Sequence, residues 1–265
     1  MGHLKFRRRY RTDHVIPSAR ARPAGADAGV VYLALGATHA QLAAISIASL
    51  RRVGYAGPIR VVTDVADDDW PASARDGVER IGLGDGVRQP ARYYKTLIHR
   101  YGFGETLFLD TDILAIAPID GIWSALAHAD LALALELPRV QGFIDWYWER
   151  EPGIRAELTL MQAGFADRPF YNSGVIGFRR GDAIDRAFDA WHEEWRRYGG
   201  QDQCALVRAL ARTSIEPHTL PACWNCPPTK FATAADARAV GIRLLHFFRG
   251  EQRARLAAFA EEVSR

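Results

Sequence analysis

The stretch LFLDTDIL, Leu107 to Leu114, sets two aspartates inside a segment otherwise suited to burial. Leu107, Phe108 and Leu109 lead into Asp110-Thr111-Asp112, and Ile113-Leu114 resume the apolar run. Alternate side chains of a strand share a face. Asp110 and Asp112 are therefore expected on one face, at or just past a strand end. Two carboxylates that close raise each other's pKa, and burying them unpaired costs roughly several kcal/mol. A hard divalent cation with oxygen ligands is the natural partner. The plainer reading is that one Asp caps a helix and the other is solvated. The apolar flanks favour the buried strand end.

Working outward, VVYLAL (Val30 to Leu35) closes on Gly36 and reads as a fully buried strand. A helical pattern from about His39 to Val53 follows, stopped by Gly54 and Gly57-Pro58. Ile59 to Val62 is a second strand, DVADDDWPAS a polar acidic loop, and Val78 to Ile81 a third strand. ARYYKTLIHRYG after Pro90 reads as one helical segment. Past the aspartates, Ile122 to His128 reads as helix and Leu131 to Leu135 as strand. Val140 to Arg168 is aromatic and irregular, with one short helix. Ser173 to Phe178 is a strand, Asp182 to Tyr198 an amphipathic helix, Gln201 to Arg212 another, and Ile242 to Phe247 the last strand. Strands alternating with helices imply an α/β fold with a mostly parallel sheet and helices on both faces. Ligands of such sheets bind outside the carboxyl ends of the strands.

The chain has 265 residues, 48% hydrophobic and 25% charged, which suits one Rossmann-like domain over residues 29–265 with an irregular C-terminal half. A net charge of only +3 argues against a nucleic-acid partner. No run of 18 apolar residues is present to span a membrane. Residues 1–28 are rich in Arg and lack the apolar core of a secretory signal. They read as a flexible basic arm, with contact to an anionic membrane surface as the alternative. Three cysteines, Cys204, Cys223 and Cys226, point to a reducing, cytoplasmic setting. Cys223-Trp-Asn-Cys226 lacks the second ligand pair of a structural zinc site and reads as packing.

The string YYKTLIHRYGFGETLFLDTDIL (Tyr93 to Leu114) resembles the core of nucleotide-sugar glycosyltransferases of the A-type fold. The nearest resemblance is to glycogenin and the retaining bacterial hexosyltransferases of family eight. YNSGVIGF (Tyr171 to Phe178), QDQCALVRAL (Gln201 to Leu210) and LLHFFRG (Leu244 to Gly250) match further segments of that family in order. The resemblance implies that Asp110, Asp112 and His246 hold Mn2+ or Mg2+, which offsets charge on the departing diphosphate. It implies that Lys95 touches the diphosphate or the sugar. Thr111, Asn172 and Ser173 would bind the donor and Asp202 a sugar hydroxyl. Gln203 would lie on the far face of the anomeric carbon, in a transfer that retains configuration. The uridine would lie over Ala34, Leu35, Gly36 and Thr38. An acidic residue usual after the first strand of such relatives is absent here, which leaves the base open. Arg249 or Arg253 would take the place of a lysine that clamps the diphosphate, in shifted register. Glu136 would meet an acceptor hydroxyl, Trp146 with Phe143, Tyr147 and Trp148 would form a sugar-stacking wall, and Trp224 and Asn225 would line the site. An Ala- and Arg-rich composition hints at a high-GC bacterial source, for which a saccharide or glycolipid acceptor is the expectation by analogy.

Three other functions remain open from the sequence. One is an idle sugar-nucleotide-binding protein of the same fold. A haloacid-dehalogenase-type phosphatase also ends a buried strand in DxD, but on the first strand of its core. A nucleotidyltransferase would want an early Gly-rich basic loop, which LGATHA lacks.

Overall fold

A computed structural model of the chain describes residues 27–84, 89–248 and 250–263. The basic arm, apart from Asp27 and Ala28, and Arg249 lie outside the described residues.

The elements run in a strand-helix order from the start. Strand β1 is Ala28–Ala34, helix α1 Gly36–Arg52, β2 Ile59–Thr63 and β3 Val78–Gly82. Helix α2 (Ala91–Lys95) precedes β4 (Glu105–Leu109), β5 (Ile113–Ala115), α3 (Gly121–Leu126) and β6 (Leu131–Leu137). Helices α4 (Val140–Tyr147) and α5 (Arg155–Phe165) precede β7 (Phe170–Arg179), α6 (Asp182–Tyr198) and α7 (Asp202–Thr213). The chain ends with β8 (His218–Leu220), α8 (Ala234–Ala239), β9 (Leu244–His246) and α9 (Gly250–Val263).

Seven strands form one sheet in the order β3-β2-β1-β4-β7-β6-β8. Pairs β1–β2, β2–β3, β1–β4 and β6–β8 are parallel, and β7 is antiparallel to both its neighbours. Reversal of β7 brings its first residues to the edge where the other strands end, so Asn172 and Ser173 stand at the carboxyl edge. A ribbon of β5 and β9 pairs Ile113 with His246. The mostly parallel α/β sheet is as the sequence implies. The apolar runs of β1 and β4 are buried on both faces: Tyr32, Ala34, Leu107 and Leu109 face one cluster, and Val31 and Phe108 the other.

The sequence reading needs correction in several places. The segment after Pro90 is not one helix. Thr96 Oγ1 bonds the carbonyls of Arg92 and Tyr93, α2 stops at Lys95, and Ile98–Tyr101 forms a 3-10 turn. The stretch from Val140 is not irregular. Val140, Phe143, Ile144 and Tyr147 recur at helical spacing, as do Leu158, Met161 and Phe165, and both helices pack on a third cluster. Aromatic density hides that period in the sequence. The acidic loop contains a buried anchor: the Trp70 indole N–H donates to Ala74 O. Both β8 and α8 lie in a segment that gave no periodic signal. Strand β1 starts at Ala28, inside the segment read as arm.

Candidate active site

Strand β4 ends at Leu109, so the aspartates do not share a strand face. Asp110 turns out of the sheet: its N–H donates to Gly174 O at 2.8 Å, and its C=O accepts from Ile113 N. The turn Asp110-Thr111-Asp112 then feeds β5, whose pairing with β9 delivers His246. Phe247 N–H donates to Asp112 O at 2.9 Å and locks the two together. One ligand atom from each of Asp110, Asp112 and His246 lies within 4.8 Å of the others, the one such group among the described residues.

These three suit a divalent cation. Asn225 Oδ1 lies 2.8 Å from His246 Nδ1 and accepts from it. Nε2 then faces Asp112 Oδ1 at 3.1 Å. Two acceptors that close require a cation between them, a proton or a metal ion. The site is also built tightly. A Cβ on Gly174 would lie 2.5 Å from His246 Cε1 and 2.9 Å from Asp110 Oδ2, so only glycine fits there.

Each carboxylate already has a cationic partner. Lys95, at the end of α2, puts Nζ 2.9 Å from Asp110 and 3.5 Å from Asp202 Oδ2. Arg253 of α9 reaches Asp112 Oδ2 through Nε at 3.0 Å and Nη2 at 2.8 Å. Burial alone would raise the Asp112 pKa, but hydrogen bonds from His246 and Arg253 outweigh it and hold the group well below the usual carboxylate range. Asp110 goes the other way. Burial raises it, Lys95 pulls it back, and Asp112 beside it pushes it up, leaving it above the ordinary value. Burial would lower the Lys95 pKa, yet Asp110 and Asp202 raise it overall, so it is an ammonium.

A second polar group adjoins the first. Ser173 Oγ donates to Asp202 Oδ2 at 2.7 Å. Burial opposes ionisation of Asp202, but Lys95 and Ser173 outweigh it and lower its pKa. Asp202 is the first residue of α7, with Gln201 as N-cap. Its C=O accepts from the Trp191 indole at 2.7 Å. Gln203 Nε2 donates to Glu136 Oε2 at 2.5 Å and to Tyr171 O at 3.1 Å. Asn172 donates to the same Glu136 oxygen at 2.9 Å, and its own Oδ1 accepts from Gly174 N. Lys95 thus bridges the three-ligand group and a second cluster of polar side chains.

The other expected residues are spread more widely. Ala34 is buried at the end of β1, and Leu35, Gly36 and Thr38 are at least partly exposed at the start of α1. Thr111 Oγ1 is 2.9 Å from His39 Nδ1. Trp224 is buried against Gly121, and Asn225 stands behind His246, so their polar and ring surfaces are already used. Phe143 is stacked on Phe170 in the core, with ring centroids 4.4 Å apart, whereas Trp146 is exposed beneath the Arg150 guanidinium. The proposed aromatic wall is therefore not one surface.

Sequence reasoning missed His39, whose contact with Thr111 leaves no motif in the sequence. It also missed Arg92, which donates to Gly200 O and Gln201 Oε1 and pairs with Asp202 at 3.4 Å. Its place in ARYYK, directly before the Tyr93-to-Leu114 string and three residues before Lys95, was the available sign.

No family model matches the sequence, and no curated protein matches it. Solved structures do. A galactosyltransferase, LgtC, in complex with donor and acceptor sugar analogs is 15% identical, with a TM-score of 0.58 over 89% of this chain and 95% of its own. The apo structure of the bifunctional glycosyltransferase WbbM is 15% identical, with a TM-score of 0.61 over 92% of this chain and 50% of its own. An active-site mutant of LgtC gives 16% identity and a TM-score of 0.57. The fold is that of the A-type glycosyltransferases. In this A-type fold the Asp-Asp-His group lies beyond β4 and the polar crevice beyond β7, side by side along one edge of the sheet.

Proposed function

We propose that this protein is a glycosyltransferase that moves a hexose from a nucleotide-diphosphate sugar to an acceptor hydroxyl. The observation that carries this reading is the convergence of Asp110, Asp112 and His246 at the carboxyl edge of an A-type sheet. Those residues would hold Mn2+ or Mg2+; a neutral imidazole among the ligands favours manganese. A bound divalent ion supplies Lewis acidity that offsets charge developing on the departing diphosphate.

The rest follows from this chain's own side chains. Lys95 adds a fixed positive charge at the leaving group. Asp202, held by Ser173, accepts from sugar hydroxyls, and Asn172 fixes the sugar's orientation. Gln203 Nε2 is bonded to Glu136 Oε2, and in this reading the pair faces the anomeric carbon. An amide is a poor nucleophile, so a same-face departure and attack, with retention, is the easier route. Glu136 sets a carboxylate where positive charge would build at the anomeric carbon, and it borders the acceptor side together with exposed Trp146. The acceptor is a saccharide or a glycolipid. No helix among the described residues is long and apolar enough to cross a membrane; the charge of the Arg-rich N-terminal segment suits contact with an anionic lipid surface. A haloacid-dehalogenase phosphatase fits poorly, because here the DxD turn follows the fourth strand and its third partner is a histidine.

Calorimetric titration with UDP, with and without Mn2+, tests the donor site. Binding that needs both the ion and an intact Asp110 supports the reading. A protein that binds UDP yet transfers no sugar to any saccharide acceptor would instead be a sugar-nucleotide-binding protein. The anomeric coupling in the NMR spectrum of the product tests retention.

A further inference from the structure

One buried charge network shares no residue with the three-ligand group or with the polar cluster beside it. Arg208 of α7 and Glu157 of α5 are both buried, and Arg208 Nη1 donates to Glu157 Oε1 at 3.1 Å. Arg208 Nε donates to Glu194 Oε2 of α6 at 3.0 Å. The guanidinium lies over the Tyr198 ring, 4.8 Å from its centroid, and Nη2 finds no acceptor among the described residues. Such an ion pair is weak grounds for stability, because desolvation offsets most of the attraction and an apolar pair of similar volume serves as well. One contact here is beyond an apolar pair: Glu157 Oε2 accepts from Gln201 N–H at 3.0 Å.

Gln201 is the N-cap of α7, and its own side chain makes no capping bond. In a capping box the side chain at the third helical position reaches back to the N-cap N–H. That position in α7 is Cys204, which is buried and offers no such acceptor. Glu157 takes the role from a different helix. The approach to α7 does not fix where it starts, because Gly199 and Gly200 both have positive φ, +66° and +70°, a region that glycine enters at no steric cost. Gly200 also leaves room for the carboxylate, since a Cβ there would overlap Glu157 Oε2. Gln201 and Arg208 are two turns apart on one face of α7, and the long Arg208 side chain runs back along that face to the same carboxylate. Glu157 thus holds both the start of the helix and its rotation. The next two residues are the ones that matter at the site. Asp202 receives Ser173 Oγ and lies 3.5 Å from Lys95 Nζ, and Gln203 reaches Glu136 and Tyr171 O.

We propose that Glu157 is a positioning residue: by holding Gln201 N–H it fixes where α7 begins, and so where Asp202 and Gln203 meet the donor's sugar; this rests on the glycosyltransferase reading. Glu157 acts through Gln201, and among the described residues its carboxylate bonds only Gln201 and Arg208. Loss of the hold lets the first turn of α7 shift, and a misplacement of about 1 Å costs on the order of 100-fold in rate. Asp110, Asp112, His246 and Arg253 stand on other elements, so nucleotide binding with the ion is left intact.

Two double variants separate the hydrogen bond from the ion pair. Glu157→Met/Arg208→Met replaces the pair with apolar chains. Glu157→Gln/Arg208→Met also lacks the pair but keeps an oxygen for Gln201 N–H. Each is compared with wild type for UDP affinity, by calorimetry in excess Mn2+, and for hydrolysis of UDP-glucose and UDP-galactose to UDP and free hexose, with water as acceptor. UDP affinity is expected to be the same in all three proteins. In Glu157→Met/Arg208→Met the kcat of hydrolysis falls about 10–100-fold, and Glu157→Gln/Arg208→Met recovers most of it. Equal kcat in the two double variants would overturn the proposal. So would a Glu157→Met/Arg208→Met protein that loses UDP affinity as steeply as turnover, since that is general damage. If that variant does not fold, Gly200→Ala decides, because its methyl displaces the carboxylate from the exposed side of the loop. A lower kcat at unchanged UDP affinity then supports the proposal, and a wild-type kcat overturns it. A wild-type protein that hydrolyses neither donor overturns the glycosyltransferase reading itself, and the proposal with it.

Discussion

Removing Arg253 should change metal binding and donor binding in opposite directions. The Arg253 guanidinium makes two contacts to one oxygen of Asp112, at 3.0 and 2.8 Å. An ion that takes Asp112 Oδ1, the oxygen facing His246, shares the carboxylate with this guanidinium, and the two positive charges compete for it. Hydrogen bonds to a charged group contribute about 1.5–3 kcal/mol net. The Arg253 side chain is 41% exposed, so solvent screening reduces the figure to about 1 kcal/mol. Arg253→Ala should therefore bind Mn2+ alone about fivefold more tightly. With the ion saturating, UDP should bind about tenfold more weakly, because a cation bordering the diphosphate is lost. Two calorimetric titrations, Mn2+ into protein and UDP into the Mn2+-loaded protein, read both numbers. Weaker binding of Mn2+ alone by the variant would refute the reasoning: Arg253 would then support Asp112 as a ligand rather than compete for it.

Three further outcomes are expected. Gly174→Ala forces a methyl against His246 and Asp110, so Mn2+ binding should be lost and the thermal midpoint should fall with a destabilisation of about 1–3 kcal/mol; unchanged Mn2+ affinity would contradict the close approach. Asn225→Ala removes the acceptor for His246 Nδ1 and should weaken Mn2+ about 10–100-fold without unfolding the protein, as calorimetry beside circular dichroism would show. The pKa values of His99, His192 and His218 are all lowered, chiefly by burial. Below the unfolded-state value of about 6.5 the unfolded chain binds more protons than the folded one, so stability should rise with pH through that window. Urea denaturation at pH 5, 6 and 7 checks the slope; a flat profile over that range would mean the three rings charge freely in the fold.

The first half of the chain was legible because buried parallel strands write themselves as short apolar runs closed by Gly or Asp. VVYLAL and LFLD are such strands, and the order strand-helix-strand leaves few topologies. The reversed strand β7 was legible as a strand but not as antiparallel, since pairing direction leaves no mark on a run buried on both faces. Helix α5 was legible as one short helix, but α4 was hidden because Trp146 and Trp148 add apolar residues off the buried stripe of Val140, Phe143 and Ile144. In the site, Asp110 and Asp112 were readable from their apolar flanks, but not the way they meet His246. A turn and a ribbon do that, and neither has a sequence period. The roles of Asn225 and Arg253 depend on contacts across the whole chain, such as those to His246 and Asp112, which no local pattern encodes.

The β5–β9 ribbon has a consequence for how the protein is made. Asp110 and Asp112 emerge from the ribosome first, and His246 follows 134 residues after Asp112. Non-local pairing of this kind forms late, because the loop must close before the contact rewards it. Until β9 docks, the two carboxylates lack both the histidine and Arg253, and the nascent sheet has no finished ion site. Ion loading is thereby coupled to the making of β9: a chain that stalls before β9 can still pair β1, β2, β3 and β4 yet cannot assemble the three-ligand group.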